Sequence, residues 1–284
     1  MRWPPYEHIF FDCDSTLTAV EGIDILAETV GKKWRVEVLT NAAMDGKLDL
    51  EEVYAKRLRA IRPTHKQIRQ IRRDYKRNTV EDAKELIAAL HAMGKKVYII
   101  SGGLYEPVEQ FGIYLGVPKE RIRAVEVAYD QLSGDWWDSE GVDSGVKNEK
   151  YMEFNEGPLT ISNGKAEIVK ELMGESTGRA LLIGDGSSDL MAGRAVDLFV
   201  GYGGVVTRDR VLAEAPVFLH SSSLAPLLPL IAGPAACRAA RNQPYEPLFK
   251  KGIQLIETGA ITFQDERLNE KFRSALDARQ YSPY

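Results

Sequence analysis

Two aspartates separated by one residue, Asp12 and Asp14, follow a short and mostly apolar run at residues 8–11. Such a run predicts a buried strand of a parallel sheet, and ligands in these sheets bind just beyond the carboxyl ends of the strands. Because side chains alternate along a strand, both carboxylates can face one site while Cys13 points away. Two carboxylates this close repel each other unless a cation or a shared proton compensates, so the pair suggests a metal-assisted reaction. An isolated pair is more often a loop acid or a helix cap, so this interpretation depends on the rest of the chain.

Polar groups also occur at three other predicted strand or helix ends. Glycines beside a hydroxyl group let backbone amides approach an anion closely, and a lysine that opens a helix adds an ammonium group. Carboxylates with few other ligands favour a hard cation, for which magnesium is the default when phosphate is present. A zinc site is not predicted, because no group of cysteines and histidines has the spacing of zinc ligands. The residues concerned are Ser101 with Gly102 and Gly103, Lys165 after 162–164, and Asp185 with Asp189.

The elements that would position these groups alternate between apolar runs and helical spacing. Strands that alternate with helices imply right-handed crossovers, and therefore an α/β fold with a doubly wound, Rossmann-like parallel sheet that has helices on both faces. The apolar runs predict strands at 8–11, 96–100, 122–128, 179–183 and 196–200, and a last strand–helix pair at 217–230.

Three segments depart from that alternation. Residues 17–77 are helical and strongly charged, which predicts a small helical cap domain inserted after the first strand. Residues 129–157 have no clear period and predict a hairpin flap or an irregular excursion. The C-terminal extension should pack against the core and contain a helix near 248–258. The predicted division of the chain is 1–16 and 78–233 for the core, 17–77 for the cap, and 234–284 for the extension.

Composition limits the classes of protein that the chain could represent. It has 284 residues, enough for one large or two modest domains, and the 44% hydrophobic content is typical of a soluble globular protein. The formal net charge of -4 gives no reason to expect a nucleic acid or an anionic membrane as a partner. No apolar run reaches the roughly 20 residues that span a bilayer. The N-terminus lacks a signal-peptide pattern and the chain has only two cysteines, so we expect a cytoplasmic protein.

Taken in order, the four clusters resemble the four motifs of the haloacid dehalogenase superfamily of phosphotransferases. Residues 12–16 match the first motif, Ser101 the second, Lys165 the third, and residues 184–189, with the sequence Gly-Asp-Gly-Ser-Ser-Asp, the fourth. Members of this superfamily that cleave carbon–halogen bonds lack the second acidic residue of the first motif. The presence of Asp14 therefore argues for phosphoryl transfer.

This resemblance implies a magnesium-dependent mechanism with a covalent intermediate. Asp12 would attack phosphorus and form an aspartyl-phosphate, and Asp14 would protonate the leaving oxygen and then take a proton from the attacking water. Mg²⁺ would be held by Asp12, the backbone carbonyl of Asp14 and Asp185. The other implied roles are contacts to the phosphoryl oxygens from Ser101 and Lys165, and orientation of Lys165 or a metal-bound water by Asp189.

Within the superfamily the resemblance narrows to the phosphoserine phosphatases. Residues 16–24 are similar to that family's segment after the nucleophile, and residues 43–49 and 56–61 are similar to parts of its cap helices. By this resemblance Glu21 would meet the substrate ammonium group and Arg57 its carboxylate, since a guanidinium group can bind a carboxylate through two hydrogen bonds. The other implied substrate contacts come from Met44 on the carbon stem and from Ser101 and Gly102.

Three features differ from the family pattern. Ser188 stands where relatives commonly have asparagine or threonine, the 129–157 excursion is longer than expected, and the tail after Gly233 has no recognised counterpart. The same core could therefore act on another small phosphorylated metabolite, or pass the phosphoryl group to an acceptor other than water. A non-catalytic binding protein on this fold is a third hypothesis. The expected partners are a small phosphorylated substrate, neither nucleic acid nor membrane, and, in an oligomer, a second copy joined through the extension.

Overall fold

A seven-stranded sheet forms the centre of the computed structural model, which describes residues 3–44, 50–130 and 150–280. The strands are β1 (His8–Phe11), β2 (Lys96–Leu104), β3 (Ile122–Val125), β4 (Val127–Asp130), β5 (Lys150–Phe154), β6 (Ala180–Gly184), β7 (Leu198–Tyr202), β8 (Val217–Leu219) and β9 (Ile261–Phe263). Their order across the large sheet is β3-β2-β1-β6-β7-β8-β9, and β4 pairs with β5 in a separate sheet. All neighbours in the large sheet are parallel except β9, which runs antiparallel to β8.

Helices flank this sheet and alternate with its strands, as the sequence predicts. The helices are α1 (Gly22–Thr29), α2 (Lys33–Met44), α3 (Leu50–Ile61), α4 (His65–Arg77), α5 (Ala83–Ala92), α6 (Tyr105–Leu115), α7 (Lys165–Met173), α8 (Ser187–Ala192), α9 (Asp209–Glu214), α10 (Leu227–Ala232), α11 (Glu246–Glu257) and α12 (Glu266–Gln280). The α/β fold with a doubly wound, Rossmann-like sheet is thus confirmed. Within the described ranges, none of these helices has the length and apolar character needed to cross a membrane.

Strand β1 determines where the site lies, because it is an interior strand of the sheet, between β2 and β6. Its four side chains are all buried, as expected for a parallel strand that is covered on both faces. It pairs with β2 on one side and β6 on the other, so that Phe11 lies between Ile99 and Ile183. Asp12 extends this ladder by donating its backbone N–H to the carbonyl oxygen of Ile183 at 2.9 Å. The residues that end β1, β2 and β6 therefore meet at one edge of the sheet.

Helices α1 to α4 follow β1 before the chain returns to the sheet through α5. Helix α4 begins with a capping box, in which the Thr64 hydroxyl accepts the backbone N–H of Gln67 and the Gln67 side chain accepts that of Thr64. It packs against α6, and Arg72 on α4 donates a hydrogen bond to Gln110 on α6 at 2.7 Å. That this helical segment forms a separate cap domain stays a prediction.

The single strand predicted at 122–128 is wrong, because the structure has two strands there. Strand β3 joins the large sheet, whereas β4 pairs antiparallel with β5. Ile122 and Val125 of β3 are buried, but every side chain of β4 is only half-buried, so the two strands cover different surfaces. Within the segment predicted at 129–157 as a hairpin flap or an irregular excursion, β4 and β5 pair antiparallel, and residues 131–149 lie outside the described part.

The C-terminal extension packs against the core, as predicted, and also adds an unpredicted strand to the large sheet. Strand β9 pairs with β8, with Phe263 opposite Val217. Trp3 packs edge-on against Phe272 of α12, with 4.9 Å between ring centroids. The helix expected near 248–258 is α11. A strand of three residues is too short for its alternation to be recognised in a sequence. Association of copies through this extension stays a prediction.

Candidate active site

The residues predicted to act in catalysis meet at the carboxyl edge of β1, β2 and β6. Asp12 and Asp14 follow β1, Ser101 lies in the last part of β2, and Asp185 follows β6. Lys165 is the first residue of α7. All five side chains are buried, so the groups that would do chemistry are separated from bulk water.

The ammonium group of Lys165 joins two carboxylates. Its Nζ atom donates to Oδ1 of Asp12 and to Oδ1 of Asp189, both at 2.7 Å. Burial by itself would lower the pKa of Lys165, but the adjacent Asp12 and Asp189 carboxylates outweigh burial and raise that pKa above its ordinary value. The contact with Asp189 is the one that its predicted orienting role requires. A charged ammonium group is thus held beside Asp12, where it could stabilise a phosphoryl oxygen.

Arg208 forms a second buried ion pair that the sequence analysis missed. Its Nε atom donates to Oδ2 of Asp185 at 2.9 Å, and its Nη2 atom lies 3.8 Å from Oε1 of Glu21. The hydroxyl of Ser15 donates to the same Glu21 oxygen at 2.8 Å. Arg208 comes just before α9, outside the four motifs, and nothing in its local sequence distinguishes it from a surface arginine. Only the fold brings its guanidinium group to the site.

Three buried carboxylates fit a metal ion. One oxygen from each of Asp12, Asp185 and Asp189 lies within 4.8 Å of the others. Burial raises the pKa of Asp185 and of Asp189 to about 7, because the neighbouring cations only partly offset the loss of solvation. A divalent cation would favour the charged carboxylates, and a donor set made only of oxygen suits a hard ion. Both oxygens of Asp189 accept hydrogen bonds, from Lys165 and from the backbone N–H of Gly186. Both oxygens of Asp185 do so as well, from Thr16 and Arg208, so hydrogen bonding does not distinguish which of the two carboxylates would bind the ion directly.

The carboxyl group of Asp14 lies between two glycines. Gly22 donates its backbone N–H to Oδ1 at 3.4 Å. A Cβ atom placed on Gly103 would come within 2.7 Å of Oδ2 and within 3.1 Å of the Ser101 hydroxyl oxygen, so Oδ2 faces the Ser101 side of the site. Burial, followed by the charge of Glu21, raises the pKa of Asp14 well above its ordinary value. A carboxyl group that keeps its proton in this position can act as a general acid.

These groups line a pocket of about 40 Å³. Four of the predicted substrate-binding residues are in its wall, and Ser188 of the fourth motif is there with them. The remaining one, Met44, ends α2, and its side chain lies outside the described part of the structure. The four predicted residues are Glu21, Arg57, Ser101 and Gly102, and the apolar wall consists of Ile23, Tyr54, Leu58, Leu104, Leu159 and Ile161.

Arg57 is buried in this pocket, but only part of its guanidinium group has a partner. Its Nη1 atom donates to the Thr40 hydroxyl at 2.9 Å, and the guanidinium carbon lies 5.4 Å from the ring centroid of Tyr54. Its Nε atom is buried and has no hydrogen-bond partner among the described residues. Because an unpartnered buried donor costs free energy, this arrangement suits a ligand that brings an acceptor.

This chain is similar in sequence and in structure to known hydrolases. A family model for haloacid dehalogenase-like hydrolases matches residues 6–197, a range that includes all four polar clusters. The phosphoserine phosphatase of Drosophila melanogaster is 33% identical over 213 residues, which are 74% of this chain and 73% of that protein. The crystal structure of a phosphoserine phosphohydrolase-like protein from Francisella tularensis has a TM-score of 0.64 and 26% identity, and the match covers 76% of this chain and 95% of that one. A structure described as a phospho-aspartyl intermediate analogue of phosphoserine phosphatase has a TM-score of 0.67 over 80% of this chain and 100% of that one, and at 23% identity it shows the fold alone.

Proposed function

This chain belongs to the haloacid dehalogenase-like hydrolases and is a phosphoric monoester hydrolase, and from that premise we propose that it hydrolyses L-phosphoserine to L-serine and phosphate. The observation that carries this proposal is that Glu21 and Arg57 line the same buried pocket as Asp12. An amino acid presents an ammonium group and a carboxylate, which a carboxylate and a guanidinium group can bind respectively. The similarity to the Drosophila phosphoserine phosphatase supports the same substrate.

In the proposed reaction Asp12 attacks phosphorus, the bond between phosphorus and the serine oxygen breaks, and an aspartyl-phosphate forms. Asp14 gives its proton to the departing serine oxygen. Water then attacks the aspartyl-phosphate, and the ionised Asp14 takes a proton from that water, which releases phosphate and restores both aspartates. Burial raises the pKa of Asp14, and this supports its role as the acid of the first step.

The charge on the phosphoryl group is balanced by residues that surround Asp12. Lys165 keeps a positive charge beside Asp12, and Ser101 offers a hydroxyl group, so both would contact the phosphoryl oxygens. The proposed metal is Mg²⁺, with Asp12, the backbone carbonyl of Asp14 and Asp185 as protein ligands. When bound, it neutralises negative charge between the phosphate and the nucleophile.

We also propose that residues 17–77 act as a cap that opens to admit the substrate. Arg57 belongs to this segment, whereas Lys165 belongs to the core, and both line the pocket. The pocket volume of about 40 Å³ is far below the roughly 300 Å³ of small-molecule pockets, which supports an opening movement for substrate entry. The two chain connections to the segment lie side by side, with the N–H of Ala19 donating to the carbonyl oxygen of Asn78 at 2.8 Å, and this is where the hinge would lie.

The proposed location is the cytoplasm. Both cysteines, Cys13 and Cys237, are free thiols, which is typical of a reducing compartment. Burial raises the pKa of Cys13 well above its ordinary value, so this thiol is a packing residue rather than a nucleophile. Release of L-serine would assign the enzyme to serine biosynthesis.

The deciding experiment measures phosphate release from L-phosphoserine with and without Mg²⁺, beside sugar, nucleotide and other amino-acid phosphates. We expect hydrolysis that depends on Mg²⁺ and prefers phosphoserine. Preference for another phosphate would contradict the proposed substrate while leaving the roles of Asp12 and Asp14 intact. Absence of hydrolysis across the whole panel would contradict catalysis itself.

Substitutions in the pocket test how the amino acid is recognised. For Arg57→Ala we expect kcat/KM for phosphoserine to fall about 100-fold, because the substrate carboxylate loses its buried partner. We expect the value for p-nitrophenyl phosphate, which has no carboxylate, to change less than about threefold. Glu21→Gln should show the same pattern. Arg59→Ala, an exposed arginine on the same helix, is the matched control and should leave both values unchanged. Equal losses of kcat/KM for the two substrates would argue that Arg57 and Glu21 do not recognise the amino acid.

A further inference from the structure

Helix α4 places a buried hydroxyl group beside Asp14. Tyr75, near the end of α4, has no exposed surface, and its hydroxyl oxygen has no hydrogen-bond partner of ordinary geometry among the described residues. It lies against Gly22, whose backbone N–H donates to Oδ1 of Asp14 at 3.4 Å, so the phenol stands beside the Asp14 carboxyl group. Because a buried hydroxyl group without a well-formed hydrogen bond costs free energy, its position beside Asp14 calls for a functional reason.

The surrounding structure holds this hydroxyl group in place. Gly22 lies directly beside it, and a Cβ atom at that position would collide with the Tyr75 oxygen, so a glycine is needed there. The ring packs against Phe111, with 5.5 Å between centroids. The backbone carbonyl of Tyr75 accepts a hydrogen bond from the Thr18 hydroxyl at 3.3 Å. The phenol therefore has a fixed place next to Asp14.

We propose that Tyr75 is a positioning residue whose hydroxyl group donates to Oδ1 of Asp14 during the reaction, so that the acid proton sits on Oδ2. Gly22 already contacts Oδ1 through its backbone N–H at 3.4 Å, and Tyr75 would be the second donor to that oxygen. An oxygen that accepts two hydrogen bonds is a poor place for the proton, which then occupies the other oxygen. Oδ2 faces Ser101, on the side where the phosphoryl group would bind. Tyr75 would thus direct the proton toward the leaving oxygen, and this inference rests on the proposed function.

The test uses two leaving groups that differ in their need for a proton. The serine oxygen needs protonation to leave, whereas p-nitrophenolate leaves without it. For Tyr75→Phe we expect kcat/KM for L-phosphoserine to fall about tenfold, and that for p-nitrophenyl phosphate to stay within about twofold. We compare kcat/KM values because kcat/KM reports the step in which the leaving group departs.

The matched control is Tyr98→Phe, which removes the hydroxyl group of another buried tyrosine. That hydroxyl group forms a hydrogen bond with Nδ1 of His8 at 3.1 Å. We expect it to leave both values unchanged. If Tyr75 had a merely structural role, Tyr75→Phe would lower kcat/KM for both substrates by the same factor. That result would overturn the inference, and so would unchanged kcat/KM values for both substrates. If the wild type cleaves p-nitrophenyl phosphate but not phosphoserine, the proposed substrate is wrong, and Tyr75→Phe is then compared on the alkyl phosphate that the wild type prefers.

A second variant tests the same contact if Tyr75→Phe does not fold. Gly22→Ala places a methyl group against the Tyr75 oxygen and should push that oxygen away from Asp14. We therefore expect the same selective loss of kcat/KM for the alkyl phosphate. Where both variants fold, Gly22→Ala should cost less activity in the Tyr75→Phe background, because the oxygen that it displaces is absent. An equal effect of Gly22→Ala on both substrates would contradict the proposed contact.

Discussion

Two regions of the same sheet bury side chains of opposite character. At the carboxyl edge of β1, β2 and β6 the buried groups are charged, and burial raises the pKa of Asp185 and Asp189 to about 7. Beside β8 and β9 the buried groups are aromatic, with Trp3 and Phe272 in edge-on contact. Burial of apolar rings stabilises the fold, whereas burial of like charges opposes it. The residues expected to do chemistry are therefore held in place by stability that other parts of the chain supply.

The largest expected effect is a loss of activity without a loss of stability when a residue at the charged edge is replaced. Asp12→Asn should lower phosphate release at least about 10⁴-fold, because an amide cannot replace the nucleophilic carboxylate. The thermal unfolding midpoint of the metal-free protein should stay the same or rise, because one negative charge leaves a buried acidic cluster and the amide oxygen can still accept from Lys165. Activity assays with Mg²⁺ and thermal unfolding measure the two quantities.

The control for this prediction is Asp277→Asn, an exposed aspartate of α12 that should leave both quantities unchanged. Preserved turnover in Asp12→Asn would contradict the role of the nucleophile. A midpoint lowered by many degrees would contradict the idea that buried charge at this edge opposes folding.

The aromatic region should show the reverse pattern. Phe272→Ala should lower the free energy of unfolding by about 3–5 kcal/mol, because the ring is buried against Trp3 and Phe263. The kcat of the protein that remains folded should be unchanged. Urea unfolding and activity at low denaturant measure the two effects, and Ile113→Ala, at a half-exposed site on α6, should change stability by less than about 1 kcal/mol. A large loss of kcat without loss of stability would show that the extension takes part in the site.

A further expected effect concerns pH and metal at the charged edge. The pKa of Asp185 and of Asp189 is about 7 in the folded protein against 3.8 ordinarily, so the folded state binds more protons than the unfolded state between those values. The stability of the metal-free protein should therefore fall as pH rises from about 4 to about 7, with the loss complete above pH 7. Bound Mg²⁺ should offset that loss, since it stabilises the ionised carboxylates.

The measurement is the thermal unfolding midpoint at pH 5 and pH 8, with EDTA or with Mg²⁺. We expect Mg²⁺ to raise the midpoint more at pH 8 than at pH 5, and Asp185→Asn to remove most of that difference. A larger rise at pH 5 would count against Asp185 as a metal ligand.

Sequence patterns predicted the fold well where their signals were local. The apolar runs at 96–100 and 179–183 became β2 and β6, because a strand buried on both faces needs a continuous apolar run. The split of 122–128 into two strands was missed, since it depends on which partner each half meets. Strand β9 was missed for the same reason, because its pairing with β8 is what makes a strand of three residues.

The candidate site was predictable in its motifs but not in its contacts. Asp12, Ser101 and Lys165 could be selected because each stands at the end of a predicted element with neighbours that favour phosphate chemistry. Arg208 and Tyr75 stand in ordinary loop and helical sequence, and only the structure shows that Arg208 contacts Asp185 and that Tyr75 lies against Gly22. A sequence pattern records neighbours along the chain, whereas these contacts join distant segments.

The sequence by itself thus determined the α/β fold, the order of the four polar clusters and the kinds of charge available for chemistry, because periodicity and short motifs are local properties. Only the tertiary structure decided that Lys165 bridges Asp12 and Asp189, that Oδ2 of Asp14 faces Ser101, and that the extension completes the sheet. The physical reason is that burial and directed hydrogen bonds depend on which surfaces pack against each other in the folded chain. Local sequence preferences do not specify those surfaces.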